Sequence, residues 1–329
     1  MSYIANVKPS IVKLCHQSGM AQGMHSVSPG TLIVYRKVWN AWHEYIYPER
    51  VQYLPQWFKT MAQEVLGVSD PAAIADIWMA FATPPYDPEL AVEGFIRWLR
   101  PELQELAGAL PGQSIAVEGL NETIACGAIE DIRRVVMFES AFARRLAALD
   151  FADFRPVVLN IAVGNPEHGA ETEMLVPAVR AAVEVGGFVG YHAYWPSIGD
   201  RCWLENDWEH FAGRWAASWD PVFRAHGLRP HYLLTEGGPI GGTAYYDEAE
   251  DKWKPSLNAG AGWRSPDCNN GDWNKTLEQI LTFDQLAHSS IPGQEGRYGG
   301  ITLFTVGQGW EYFQHYRDQF ESLEYALIR

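Results

Sequence analysis

The sequence predicts an α/β protein in which residues 1–329 form a single (β/α)8 barrel domain, and three observations predict it. Short β-branched runs alternate with longer segments of helical period along the whole chain. About eight such units follow one another with no Ser/Gly/Pro-rich linker or block of charge at which to divide them. A doubly wound open sheet usually carries a glycine-rich first turn, and no G-x-G-x-x-G follows the first run here.

Taken in order, strands are expected at 10–14 (SIVKL), 31–35 (TLIVY), 74–78 (IADIW) and 114–117 (SIAV), then at 156–159 (PVVL), 187–190 (GFVG), 231–234 (HYLL) and 300–304 (GITLF). Runs this short and apolar suit parallel strands buried on both faces. The segment beginning at Glu130 returns Ile132, Val135, Val136, Phe142 and Leu146 at helical spacing and turns Arg133, Arg134 and Arg144 outward. Val176, Val179, Ala182 and Val183 repeat the pattern, and helices over 207–223 and 277–286 complete the series. The stretch 237–272, rich in Gly, Trp, Asp and Asn, is expected to be a long insertion after the seventh strand, over the active-site face.

Composition narrows the function. Apolar residues make up 47% of the chain, enough for a sizeable core, and the formal charge of -15 argues against nucleic acid, whose phosphates need clustered Lys and Arg. No apolar run approaches the roughly 20 residues that span a bilayer, so no membrane partner is expected. The chain reads as soluble: cytoplasmic if it is complete, secreted if a signal peptide has been removed. Cys15, Cys126, Cys202 and Cys268 lack the paired spacing of zinc sites and read as free thiols, although Cys202 and Cys268 could pair in an exported protein. Fourteen tryptophans, many in expected loops, suit either a binding surface or loops plugged onto the scaffold.

Reactive groups in a barrel come from the C-terminal ends of its strands, where the following loops converge on one mouth. Two strand ends carry a glutamate: Glu122 in "GLNETI" and Glu236 in "LLTEGG". Two carboxylates facing each other suit glycosidic bond cleavage, because one must donate a proton to the leaving oxygen while the other stays ionised. A separation near 5 Å lets the ionised one attack directly and retain configuration, whereas roughly 6.5 to 9.5 Å leaves room for a water that inverts it.

These motifs, with "YHAYW" on the sixth expected strand and Arg36 after the second, resemble the glycoside hydrolases of clan A, the retaining (β/α)8 enzymes. The resemblance implies Glu122 as acid/base, Glu236 as nucleophile and Asn121 as a contact to the sugar 2-hydroxyl. It further implies that Arg36, His192 and Tyr194 line the substrate site. Trp195 and Trp310 are expected as flat faces on which a sugar ring stacks. The clan's fourth-strand motif usually continues with proline, where this chain has Thr123, and Trp310 lies several residues beyond the clan's usual tryptophan position.

Glu118 within the fourth expected strand and Glu167 in "GNPE" compete as site carboxylates. A metal-dependent barrel hydrolase is disfavoured, since His43-Glu44 has no second histidine one helical turn on and no His-x-His marks the first strand. No cofactor and no metal are therefore expected. The partner is a carbohydrate substrate, on a β-linked oligo- or polysaccharide reading, with a catalytically silent carbohydrate-binding barrel as the alternative.

Overall fold

The computed structural model describes residues 11–303, apart from 16, 38–42, 52, 65, 83–85, 125–128, 167–168, 199–200, 203, 206, 242–243, 248–251, 256–260, 265–267 and 292–296. Its strands are β1 (Ile11–Cys15), β2 (Leu32–Arg36), β3 (Ser114–Glu118), β4 (Asp153–Ile161), β5 (Phe188–Ile198), β6 (Arg201–Cys202), β7 (His231–Gly241), β8 (Ala244–Asp247), β9 (Lys252–Pro255), β10 (Ala261–Gly262) and β11 (Tyr298–Leu303). Seven of them, β1 to β5 with β7 and β11, pair in parallel in that order, and β11 returns beside β1. The result is a nearly closed barrel of seven parallel strands alternating with helices.

The strand expected at 74–78 is a helix, Pro71–Phe81. Asp70 caps it by accepting from the backbone amides of Ala72 and Ala73, and Pro71 takes the first helical position, where a missing N–H costs nothing. Ile74, Trp78 and Phe81 then fall on one buried face at helical spacing. The strand carrying "SIAV", β3, is consequently the third described strand of the barrel, not the fourth, and β7, which carries Glu236, is the sixth. Pro88–Ala109, Ile129–Ala147 and Val176–Glu184 lay their apolar faces on the outside of the barrel and on one another. The segment expected as a helix over 207–223 is helical only toward its end, as a π-helical turn Trp215–Trp219 followed by Asp220–Ala225.

After strand β7 the chain does not leave the sheet at residue 237. β7 continues to Gly241, and β10 folds back antiparallel on it at Ile240 and Gly241. The β8–β9 hairpin forms a separate two-stranded sheet.

The barrel interior is layered. Ile11, Leu32, Val34, Ala116, Val157, Phe188 and Leu233 pack together as an apolar plug, apart from the larger core between sheet and helices. Side chains two residues on along a strand share its face. Two positions past the plug come Lys13 after Ile11, Arg36 after Val34 and Glu118 after Ala116. The apolar plug thus carries a charged layer on its C-terminal side, toward the mouth.

Two irregularities aim that layer. In β4, Leu159 and Asn160 adopt left-handed backbone and the pairing with β5 slips between Val158 and Ile161. Asn160, fully buried, donates to the carbonyls of Leu120 (3.3 Å) and Val157 (3.1 Å) and accepts from the Thr235 hydroxyl (3.1 Å). A Cβ on Gly190 would run into the Asn160 side-chain amide, so the close approach of β5 to this hub requires glycine. Gly190→Ala is expected to lower stability by roughly 1–3 kcal/mol through overpacking. Urea denaturation of the two proteins measures it, and equal midpoints would show that the hub tolerates displacement.

Candidate active site

Six sequence-expected residues meet at one end of the barrel. Glu236 stands at the second irregularity: Tyr191 opposes Leu234 but His192 opposes Glu236, a one-residue bulge in β7 at Thr235. Bulges of this kind re-aim a side chain, and here the Glu236 carboxylate is brought into the charged layer. Its Oε1 accepts from the Arg36 guanidinium and from Lys13 Nζ at 3.1 Å. Its Oε2 accepts from the Tyr194 hydroxyl at 2.9 Å.

Glu122 stands above it on the chain leaving β3. Its backbone is left-handed, with φ at 52°, an uncommon conformation for a residue with a side chain and one that clusters at functional sites. Pairing with β4 continues beyond the regular strand and holds it there, since the Gly119 amide donates to Val157 O (3.1 Å) and the Glu122 amide to Asn160 O (3.0 Å). The Glu122 carboxylate bonds His192 Nδ1 at 2.6 Å, and that nitrogen also lies 3.5 Å from Glu236 Oε2. One oxygen each of Glu122 and Glu236 and a ring nitrogen of His192 all lie within 4.8 Å of one another.

The two carboxylates differ in surroundings. The Glu122 side chain is 42% exposed and that of Glu236 only 7%. Burial by itself pushes the Glu236 carboxyl up, but His192, Lys13 and Arg36 overcome it and hold the group well below the usual carboxylate range. Burial, with the Glu236 charge adding to it, raises the Tyr194 hydroxyl well above its ordinary value, so Tyr194 faces the carboxylate as a proton-bearing donor. The Asn121 side-chain oxygen accepts from the same Arg36 nitrogen that binds Glu236, which ties the β3 exit to the β2 end.

Glu122, His192 and Glu236 also have the spacing of a metal-ligand group. Both Glu236 oxygens are already engaged, however, one of them by two cations, so a divalent ion bridging this set would sit against Lys13 and Arg36.

Trp195 is not at the mouth. It follows Tyr194 and takes the opposite face of β5, where it is fully buried, stacks on Phe283 at 5.2 Å and donates to Gln279 Oε1 at 3.2 Å. The ring-stacking role expected of it gives way to packing between barrel and helix. Trp310 and Glu167 lie outside the described residues. Glu118 is in the site but entirely buried, ion-paired to Lys13 at 2.9 Å and 3.8 Å from Arg36. Sequence reasoning missed Lys13. Its signal was present, because a lysine interrupting the run "IVKLC" at the parity of Ile11 must point into the barrel. Among the described residues Cys15, Cys202 and Cys268 are free thiols. No described helix is long and apolar enough to cross a membrane.

Models of known protein families give no match to this chain, and no curated protein matches it either. The site's geometry therefore carries the functional reading.

Proposed function

We propose that the protein is a retaining glycoside hydrolase acting on a β-linked oligo- or polysaccharide, with Glu236 as nucleophile and Glu122 as acid/base. One observation carries the reading: two carboxylates with oxygens within 4.8 Å, one buried and held ionised by cations, the other open to solvent beside a histidine. Oxygens within 4.8 Å of each other favour the closer carboxyl spacing of double displacement, about 5 Å, over the roughly 6.5 to 9.5 Å that admits a water. The resemblance to clan A, and with it the eight-stranded form of the barrel, points the same way.

In the first step a Glu236 oxygen bonds the anomeric carbon as the glycosidic bond breaks, and Glu122 gives its proton to the departing oxygen. In the second, Glu122 takes a proton from water, the water oxygen bonds the anomeric carbon, and Glu236 leaves as a carboxylate. Two inversions restore the starting configuration. Tyr194 and Arg36 hold the attacking carboxylate in place before the reaction, so little reorganisation is needed in it. His192 orients Glu122. Asn121, its oxygen taken by Arg36, offers its amide nitrogen to a sugar hydroxyl.

Incubation with a panel of aryl β-glycosides and β-linked polysaccharides, followed by proton NMR of the earliest product, tests this directly. The β-anomer is expected first, with the α-anomer growing in only by mutarotation. First appearance of the α-anomer would remove the covalent mechanism. No turnover across a broad panel would put the carbohydrate-binding barrel in its place.

A further inference from the structure

Beneath the two glutamates lies a second pair of opposite charges that the two-carboxylate reaction does not itself require. Lys13 on β1 donates to the Thr235 carbonyl at 3.0 Å and to Glu236 Oε1 at 3.1 Å, and sets its charge 2.9 Å from Glu118 Oε1 as an ion pair. Thr235 is the bulge residue that aims Glu236, and its carbonyl also accepts from the Thr302 hydroxyl on β11. Lys13 therefore grips both the nucleophile's carboxylate and the backbone kink that presents it. Glu118 on β3 is wholly buried and touches the same two cations, Lys13 and Arg36, that touch Glu236.

We propose that Lys13 and Glu118 act as a positioning pair for Glu236: Lys13 fixes the carboxylate and the bulge beneath it, and Glu118 draws off part of the positive charge that would otherwise blunt it. The inference rests on the reading of Glu236 as nucleophile for its catalytic meaning, but not for its electrostatics.

A carboxylate facing two uncompensated cations stays ionised yet is a poor nucleophile, because the charge that lowers its proton affinity also lowers its affinity for carbon. With Glu118 present, two cations face two carboxylates in the buried layer. The other titratable groups facing Glu236 are His192 and Tyr194 from β5, Glu122 from the β3 exit and Cys15 from β1, whose thiol burial pushes up. None of these bonds to both Glu236 and the Thr235 backbone as Lys13 does.

The test uses Glu118→Gln, Lys13→Met and the double variant. Lys13→Met alone leaves Glu118 short of a partner in the barrel and is expected to be unstable, whereas the double variant removes both charges and keeps the fold. Carbon-13 NMR of glutamate-carboxyl-labelled protein, with the Glu236 signal assigned by its loss in Glu236→Gln, reads the carboxylate without any substrate. In the wild type the signal is expected to remain that of a carboxylate down to acid unfolding. In the double variant it is expected to titrate within the folded range, a rise of about one pH unit or more. Glu118→Gln is expected to leave the carboxylate ionised while lowering kcat on an aryl β-glycoside roughly tenfold at nearly unchanged KM.

A double variant whose Glu236 signal behaves as in the wild type, or a Glu118→Gln protein with unaltered kcat, would overturn the pairing and leave Lys13 and Glu118 as packing. The failure of the glycosidase reading looks different: the Glu236 signal moves as expected, and no glycoside is turned over by any of the proteins.

Discussion

Glu236→Gln is expected to cut turnover of an aryl β-glycoside by at least about 10⁴-fold, the scale of loss when one member of a covalent catalytic group is removed. The substitution keeps shape and leaves a carbonyl oxygen for Lys13 and Arg36, so the fold should persist while the attacking charge is gone. Glu236→Ala opens a small cavity lined by those two cations and the Tyr194 hydroxyl. Azide should enter it, attack from the nucleophile's face and give the α-glycosyl azide from a β-glycoside. The same treatment of Glu122→Ala should give the β-azide, because there Glu236 still forms the covalent intermediate and azide replaces water. Turnover in Glu236→Gln above about one per cent of wild type, or azide products with the two configurations exchanged, would reverse or remove the assignments.

The same environment gives a stability signature. The Glu236 carboxyl is held below its ordinary value, so the folded state binds fewer protons than the unfolded state as the solution is acidified. Its contribution is present above the ordinary carboxylate range and is lost as pH falls toward the folded value.

The barrel was legible where apolar runs were short and bounded. At 74–78 Ile74, Ile77 and Trp78 look like a strand unless the Asp70-Pro71 start and the spacing to Phe81 are weighed first. The site was legible where polar residues follow apolar runs, as with Asn121, Glu122 and Glu236, and on β5, where His192 and Tyr194 share a face. The alternation that puts those two inward sends Trp195 outward, a distinction that depends on how far the strand continues. Lys13 is the opposite case: a lysine inside a strand reads as a surface residue until the barrel gives its face an inside. Asn160 and Glu139 could be found only from the fold, since both bond the backbone of Leu120 on the chain leaving β3, which is distant from them in sequence.

Glu139 yields the last expectation. It lies on the buried face of Ile129–Ala147, fully enclosed, and accepts from the backbone amide of Leu120 at 2.8 Å, one residue before Asn121. A Cβ on Gly119 would come within 2.5 Å of its carboxylate, so a larger residue there would have to displace the Glu139 side chain. Burial pushes the Glu139 carboxyl up to about 8, against the pull of the Leu120 and Leu159 amides and with Glu118 adding to the rise. A carboxyl ordinarily near 4.5 and folded near 8 binds a proton in the folded state that the unfolded state has already released between those values. Stability from this group is therefore full below about pH 4.5 and drains away as pH rises toward 8, by an amount on the order of 3–5 kcal/mol. Glu139→Gln cannot ionise and should not follow that slope. The variant is expected to be no more stable than wild type at pH 4.5 and more stable at pH 8, so that the two stability curves cross. Glu139→Ala, with no acceptor for Leu120, should lose stability at every pH and lower kcat by loosening the chain that carries Glu122. Thermal unfolding of the three proteins from pH 4.5 to 8.5 decides it: parallel curves for wild type and Glu139→Gln would mean that the buried carboxyl does not change its proton across this range.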